Sequence, residues 1–218
     1  MSVMPGTAGE ASGPPRRERC DALENRRRLL AAAKQLFAIQ GVDKTDMYEV
    51  ARAAGVGQGT LYRHYANKGE LCQALIRDDL DAFMASVDAA ARQTGRSASP
   101  LAGLDLLIAD QIGLVEQHLP LLAAIEAATG APGPKPPGSP WRQWLRGHVA
   151  ALLADAAERG EIGAEVDVEY VADALLAVLS PRFVGVLRHE RGHSVERIGA
   201  GVRRLFVEGL RADRSRPE

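Results

Sequence analysis

Gln58, Thr60, Tyr62, Arg63 and His64 gather an amide, a hydroxyl, a phenol, a guanidinium and an imidazole on one short stretch. Each of these groups can donate a hydrogen bond. Such a set suits base edges and phosphate oxygens. A glutamine amide pairs bidentately with an adenine edge, and an arginine fork with a guanine edge. Contacts to phosphate position a protein on a duplex without specifying its sequence. A helix face packed on a core has no use for so many donors. A second stretch, His189-Glu190-Arg191-Gly192-His193, spells H-E-x-x-H. That is the pattern of a zinc hydrolase with its glutamate as general base. The chemistry needs both histidines on one face of a continuous helix and a third ligand beyond. Gly192 interrupts the helix, Ser194 reads as the cap of the next one, and only the distant Glu208 offers itself as a third ligand. The stretch therefore reads as a turn between helices, with a surface metal site and a zinc hydrolase as the alternatives. No catalytic constellation, phosphate loop or cofactor motif stands out elsewhere, so no catalytic residue, metal or cofactor is expected.

The donor set has to be carried by a defined pair of elements. Residues 46–65, DMYEVARAAGVGQGTLYRHY, read as two short helices joined by a glycine turn. The first runs from about Asp46 to Ala54, with Val50 and Ala51 inward, and Asp46 with Glu49 offers a capping-box start. Gly55 ends it in the left-handed position that glycine favours. Val56 packs the turn, and the second helix spans about Gln58 to His64 with Leu61 inward. Two short helices around a tight turn make a helix-turn-helix, whose second helix enters the major groove with its N-terminal residues leading.

The remaining periodicity is helical throughout. A first helix spans about Glu24 to Gln40, with Leu29, Leu30, Ala33, Leu36 and Phe37 as its apolar stripe. Asn67 caps a long helix to about Arg92 that carries Leu71, Leu75, Leu80, Phe83, Met84 and Val87. Pro100 opens a helix to about Gln117 and Pro120 another to Thr129. Gly130 to Pro140 is a Pro/Gly loop. Further helices span about Trp141 to Arg159, Asp167 to His189 with a kink at Pro181, and Ser194 to Ala212. No strand pattern and no repeat is visible.

The expected fold class is all-α with about nine helices. The expected divisions are a disordered basic leader over residues 1–22, a reading head over 23–68, a helical C-terminal domain over 69–213 and a tail over 214–218. The chain has 218 residues with 46% hydrophobic and 25% charged content, ordinary for a globular protein that buries a core. The net charge of −1 hides an asymmetry, since residues 16–70 sum to +4 and residues 71–218 to −4. A basic head on an acidic remainder suits a protein that meets phosphate with one end. No stretch matches the roughly 18 apolar residues of a membrane span, and residues 1–15 lack the apolar run of a secretory signal. Cys20 and Cys72 are too few for a disulfide framework, which fits a reducing cytoplasm as the expected location.

AAGVGQGTLYRHYANKGEL, with RRLLAAAKQLFAIQGVDKT before it, resembles the DNA-binding segment of TetR/AcrR-family transcriptional regulators over about Arg26 to Leu75. Phe37 and Gly41 stand where that family places an aromatic residue and a glycine. The resemblance implies a base-reading role for Gln58, close backbone approach at Gly59, and phosphate or sugar contacts by Thr60, Tyr62 and His64. It implies a phosphate-binding role for Lys68, aided by the start of its helix, while Arg63 meets either a guanine or a phosphate. Thr45, Asp46, Met47, Gly57 and Tyr65 complete the expected DNA-facing set. Arg26, Arg27 and Arg28, with Arg16, Arg17 and Arg19 upstream, reach the backbone or minor groove, or else form a solvated arm. Asp46 stands where the family usually has a phosphate-donating Ser or Thr. It caps the helix but cannot donate when ionised. Gly57 likewise replaces a common serine cap.

The resemblance further implies a homodimer formed by the last two helices and a small-molecule site in the C-terminal domain. Val171, Leu175, Val178, Leu179, Ile198, Val202, Leu205 and Phe206 are the expected interface, with Val195 and Leu210 in the same seam. The plainer reading of that seam is core. Candidate effector-wall residues are Phe83, Met84, Ile108, Ile112, His118, Trp141, Trp144, Leu145, His148, Phe183 and Leu187, with the Pro-rich loop as a lid. Few of them are charged, which points to an apolar effector. The function implied is a dimeric repressor that leaves a palindromic double-stranded DNA operator when the effector binds, with no membrane partner. The alternatives are a helix-turn-helix regulator without an effector and the zinc hydrolase noted above.

Overall fold

The computed structural model describes residues 16–94, 98–129 and 140–212. Among them the fold is helical, and the one isolated extended pairing joins Ile162 to Arg211. No single described helix is long and apolar enough to cross a membrane. The expected tail and nearly all of the expected loop, with the lid role assigned to it, lie outside the described residues, as do residues 1–15 of the expected leader.

The N-terminal part is built from α1 (Arg16–Gln40), α2 (Met47–Ala54), α3 (Gln58–His64) and α4 (Lys68–Leu75). α1 begins at Arg16 rather than near Glu24, so the last residues of the expected leader are helical. Leu29, Ala33, Val50, Ala51, Leu61 and Leu71 are buried together between these four helices. Short helices of this length are marginal alone, so this shared core holds them. Gly41 and Gly55 take positive φ of 87° and 64° at the two turns. At Gly55 a Cβ would also meet the Arg28 guanidinium at 2.6 Å.

The expected single helix from Asn67 to Arg92 is two. Ile76 leaves helical geometry (φ −108°, ψ 9°) and α5 (Arg77–Thr94) follows in a new direction. No Gly or Pro marks the break. Ile76 is 1% exposed and joins the second core, whereas Leu71 belongs to the first. The change of core thus falls beyond Leu71 rather than at Lys68, because a side chain serving a different core cannot stay in register with α4.

The C-terminal part comprises α5, α6 (Pro100–Thr129), α7 (Pro140–Glu158), α8 (Val168–Val178), α9 (Pro181–Gly185) and α10 (Val195–Arg203). Single wide turns, Val186–Glu190 and Arg204–Glu208, extend α9 and α10. α6 holds the two expected helices, joined end to end across a kink. His118 sits at φ −118°, ψ 17° just ahead of Pro120, where the ring clashes with the preceding turn. Ser180 caps α9 with Pro181 at its first turn, so the expected long helix breaks there. α6 is the hub, packed against α4, α7, α9 and α10. Arg146 ties α7 to α8 through Asp173 and Glu169, each at 2.6 Å. Arg203 of α10 grips Asp105 of α6.

α4 lies on the second half of α6. A Cβ on Gly69 would meet the Ala128 Cβ at 2.4 Å and the Ala124 carbonyl oxygen at 3.3 Å. Only glycine permits that approach, and through it the head rests directly on the C-terminal bundle.

Candidate nucleic-acid interface

α2 and α3 are fixed from below and presented from above. Asp46 accepts the Glu49 N–H at 2.7 Å, and the Glu49 carboxylate accepts the Asp46 N–H at 3.1 Å. This is the expected capping box, and Gln40 secures it by donating to Glu49 at 2.9 Å. Gly55 and Val56 donate back to Arg52 and Ala51 and close α2. Gly57 caps α3 without a side-chain bond. Leu61 points inward and is fully buried, which fixes the roll of α3.

That roll leaves Gln58 and Gly59 at the exposed start of α3, Tyr62 52% exposed, and Thr60 and His64 half-buried. Arg63 is exposed too, and its Nε donates to the Gly59 carbonyl at 3.1 Å. The outward set is thus an amide, a bare backbone, a phenol and a guanidinium fork. It can do the base-edge and phosphate chemistry expected of it. Tyr48 and Arg52 on α2 extend the same chemistry, and sequence reasoning missed them. Tyr48 is exposed with the Arg52 guanidinium 6.0 Å from its ring centre. Their four-residue spacing on a helix was the available signal.

Several expected DNA-facing residues have internal duties. Thr45, Met47 and Tyr65 are buried in the head. The Thr45 hydroxyl donates to the Gly41 carbonyl at 2.8 Å. The Lys68 ammonium donates to the Val42 and Asp43 carbonyls at 2.9 and 3.3 Å, tying α4 to the loop before α2. Arg28 donates to the Gly55 carbonyl at 3.1 Å, and Arg27 pairs with Glu24 at 2.9 Å. Arg26 lies against Tyr65. The side chains of Arg16, Arg17, Arg19 and Cys20 lie outside the described ones. Cys72 is buried, which pushes its thiol up to about 11 and keeps it unreactive at neutral pH.

Lys68→Ala is accordingly expected to destabilise the head by roughly 1.5–3 kcal/mol, the range for hydrogen bonds to a charged group. Urea denaturation measures this, and an unchanged midpoint would return Lys68 to a phosphate-only role.

The HERGH segment is not a continuous helix. His189 and Glu190 end the wide turn after α9, and Gly192 reverses the chain at φ 65°. Arg188 instead bridges Glu116 at 2.7 Å and the His193 carbonyl at 2.8 Å. Among the described residues no group of three His, Cys, Asp or Glu side chains is placed to hold a metal.

Residues 29–75 match the model of the tetR family of bacterial regulatory proteins. The likeness to that family covers the head, from α1 to α4. An HTH-type transcriptional regulator of Staphylococcus aureus strain USA300 is 46% identical over 66 residues, which are 30% of this chain and 36% of that protein. The match therefore spans about a third of that relative's length. A gamma-butyrolactone receptor (ArpA-like protein) superposes with TM-score 0.52 at 25% identity over 88% of this chain and 90% of that one. The Bacillus subtilis regulator FadR, in complex with stearoyl-CoA, gives TM-score 0.59 at 17% identity over 84% and 98% and shows the shared fold.

A cleft of about 440 Å³ opens between α5, the first half of α6 and α7. Of the expected effector-wall residues it takes in only His148. Phe83, Ile108, Ile112 and Leu145 are buried in the core, and Trp141, Trp144 and Leu187 pack on it. Met84 is half-buried away from the cleft, His118 is buried 3.2 Å from Asp79, and Phe183 is exposed. The cleft is walled instead by small residues, among them Ala90, Ala91, Ala102 and Ala151, beside Leu106 and Leu152. Bulky side chains fill space, and small ones leave it. The alanine-rich faces of α5, α6 and α7 were the sequence signal for this cleft. His148 meets Asp88 at 3.0 Å and Trp144 ring to ring at 4.2 Å, which fixes its position in the wall.

The expected interface seam is also largely core. Leu175, Leu179, Ile198 and Val202 are buried within one subunit, and Val171, Val178 and Phe206 pack partly on that core, as do Val195 and Leu210. Within the subunit α10 packs on α6, and α8 packs on α7 and α9. The apolar groups left outward on α8 to α10 are Tyr170, Phe183 and Leu205.

Proposed function

We propose that this chain is a dimeric, sequence-specific DNA-binding regulator, and a repressor whose grip a small apolar molecule releases. One observation carries the DNA-binding reading. Leu61 anchors α3 so that Gln58, Tyr62 and Arg63 all face solvent from a head whose own core is closed. The resemblance of residues 29–75 to the tetR family supports the same reading. Two heads on one face of the duplex require a dimer, with recognition helices about one helical turn apart. The outward Tyr170, Phe183 and Leu205 suit a second copy of the chain.

The 440 Å³ cleft supports the effector reading, since ligand pockets run from roughly 300 to 1,000 Å³ with mostly apolar walls. At its rim Asp155 and Arg159 pair at 2.6 Å, giving a polar end to an apolar slot. The neighbour at 25% identity is a receptor for a small molecule by its own description. A ligand that prefers a rearranged bundle would weaken DNA binding by that preference alone. Gly69 is the pressure point, because α4 has no slack against Ala128 of α6.

In-vitro selection of random duplex DNA by the purified protein tests the proposal. Enrichment of a palindrome with half-sites about one turn apart is expected. The selected duplex then serves as probe for release by apolar molecules, and Ala151→Trp, which fills the cleft, is expected to abolish release while leaving binding intact. Selection of no motif by a folded protein would overturn sequence-specific regulation.

A further inference from the structure

A second, polar cleft of about 350 Å³ lies where α1, the end of α3, α4 and the start of α5 meet. Arg26, His64, Tyr65, Glu70, Gln73 and Arg77 line it. Its chemistry differs from that of the apolar slot between α5, α6 and α7. Two guanidinium groups enter from different helices, and only one carboxylate opposes them. Glu70 is partly committed, since it accepts the Ala66 N–H at 2.8 Å.

Tyr65 supplies the observation that points to a ligand. Its side chain is 5% exposed, yet its hydroxyl makes no hydrogen bond. Buried polar groups in native proteins nearly always have a partner, and leaving one without is costly. Burial pushes the phenol above its ordinary range, against the pull of Arg26 and Arg77. At neutral pH the group is therefore an O–H donor. Arg26 and Arg77 stand close enough to the hydroxyl to favour its ionised form. The donors that converge here are two guanidinium forks, a phenol O–H and the Gln73 amide. Guanidinium forks match the oxygen spacing of phosphate, and charge-assisted bonds of this kind are the strong ones.

We propose that this cleft binds a tetrahedral oxyanion of the phosphate class, held by Arg26, Arg77 and the Tyr65 hydroxyl. The anion joins α1 and the end of α3 to the first turn of α5. Occupancy therefore sets how the head is held on the C-terminal bundle. Its effect on operator affinity rests on the function proposed above, whereas the binding itself does not. The oxyanion comes either from free phosphate or from the backbone of bound DNA.

Calorimetric titration of the full-length protein with inorganic phosphate, without DNA and against chloride at matched ionic strength, tests the site. Saturable binding is expected. Tyr65→Phe and Arg77→Gln should each weaken it roughly tenfold or more. Tyr65→Phe removes one unpaired hydroxyl and keeps the ring, so the fold is retained. Binding indistinguishable from chloride, or unchanged in both variants, overturns the proposal. Operator titrations at constant ionic strength then separate the sources. If the site takes free phosphate, phosphate shifts operator affinity in the wild type but not in Tyr65→Phe, and it stays bound in the complex. If the site takes a DNA phosphate, phosphate competes with the operator and Arg77→Gln lowers the salt slope by about one.

Discussion

Leu205→Glu is expected to separate the proposed dimer and lower operator affinity by roughly 100- to 10,000-fold, the range by which linked sites exceed single ones. Leu205 is 67% exposed on the wide turn that extends α10, so a charge there is well solvated in the single subunit. Helix content and the thermal midpoint of the subunit should barely move. In a dimer the same carboxylate would be buried against apolar surface without a partner, which is costly. Sedimentation at matched concentrations gives the oligomeric state, and fluorescence anisotropy with the selected duplex gives affinity. A dimer of unchanged strength with unchanged DNA binding would move the interface away from α10.

Gln58→Ala is expected to make one base position in each half-site degenerate. Loss of a bidentate base contact is worth roughly 1–3 kcal/mol per half-site. Gln58 opens α3, is exposed, and takes no part in the cap, which Gly57 supplies. Stability should therefore be unaffected while the selected motif loses information at that position. Binding to unrelated duplexes should stay the same, because phosphate contacts carry it. Retention of the full motif by the variant would remove Gln58 as the base reader and turn attention to Arg63.

The head was legible because its signals are local. A capping box, a glycine at positive φ and an inward leucine each act within a few residues, and all appear where Asp46, Gly55 and Leu61 placed them. Donor chemistry was legible too, in Gln58, Tyr62 and Arg63. The duties of Thr45, Tyr65, Arg28 and Lys68 were not. Each depends on a partner brought near by folding, such as Val42 for Lys68 across 26 positions. A hydroxyl or ammonium looks the same in sequence whether it meets a phosphate or a carbonyl.

By itself the sequence determined the helical class, the helix-turn-helix and the family likeness of residues 29–75, since period, caps and breakers are short-range properties of the chain. The tertiary structure alone decided the rest. It broke the helix at Ile76, because that side chain fills a different core from Leu71. It buried Leu175, Leu179, Ile198 and Val202 of the expected seam in the core of the subunit and left Leu205 outward. It opened the cleft among alanines rather than aromatics. Which apolar face meets which neighbour depends on how whole helices pack, and a side chain's type does not encode the direction from which its partner arrives.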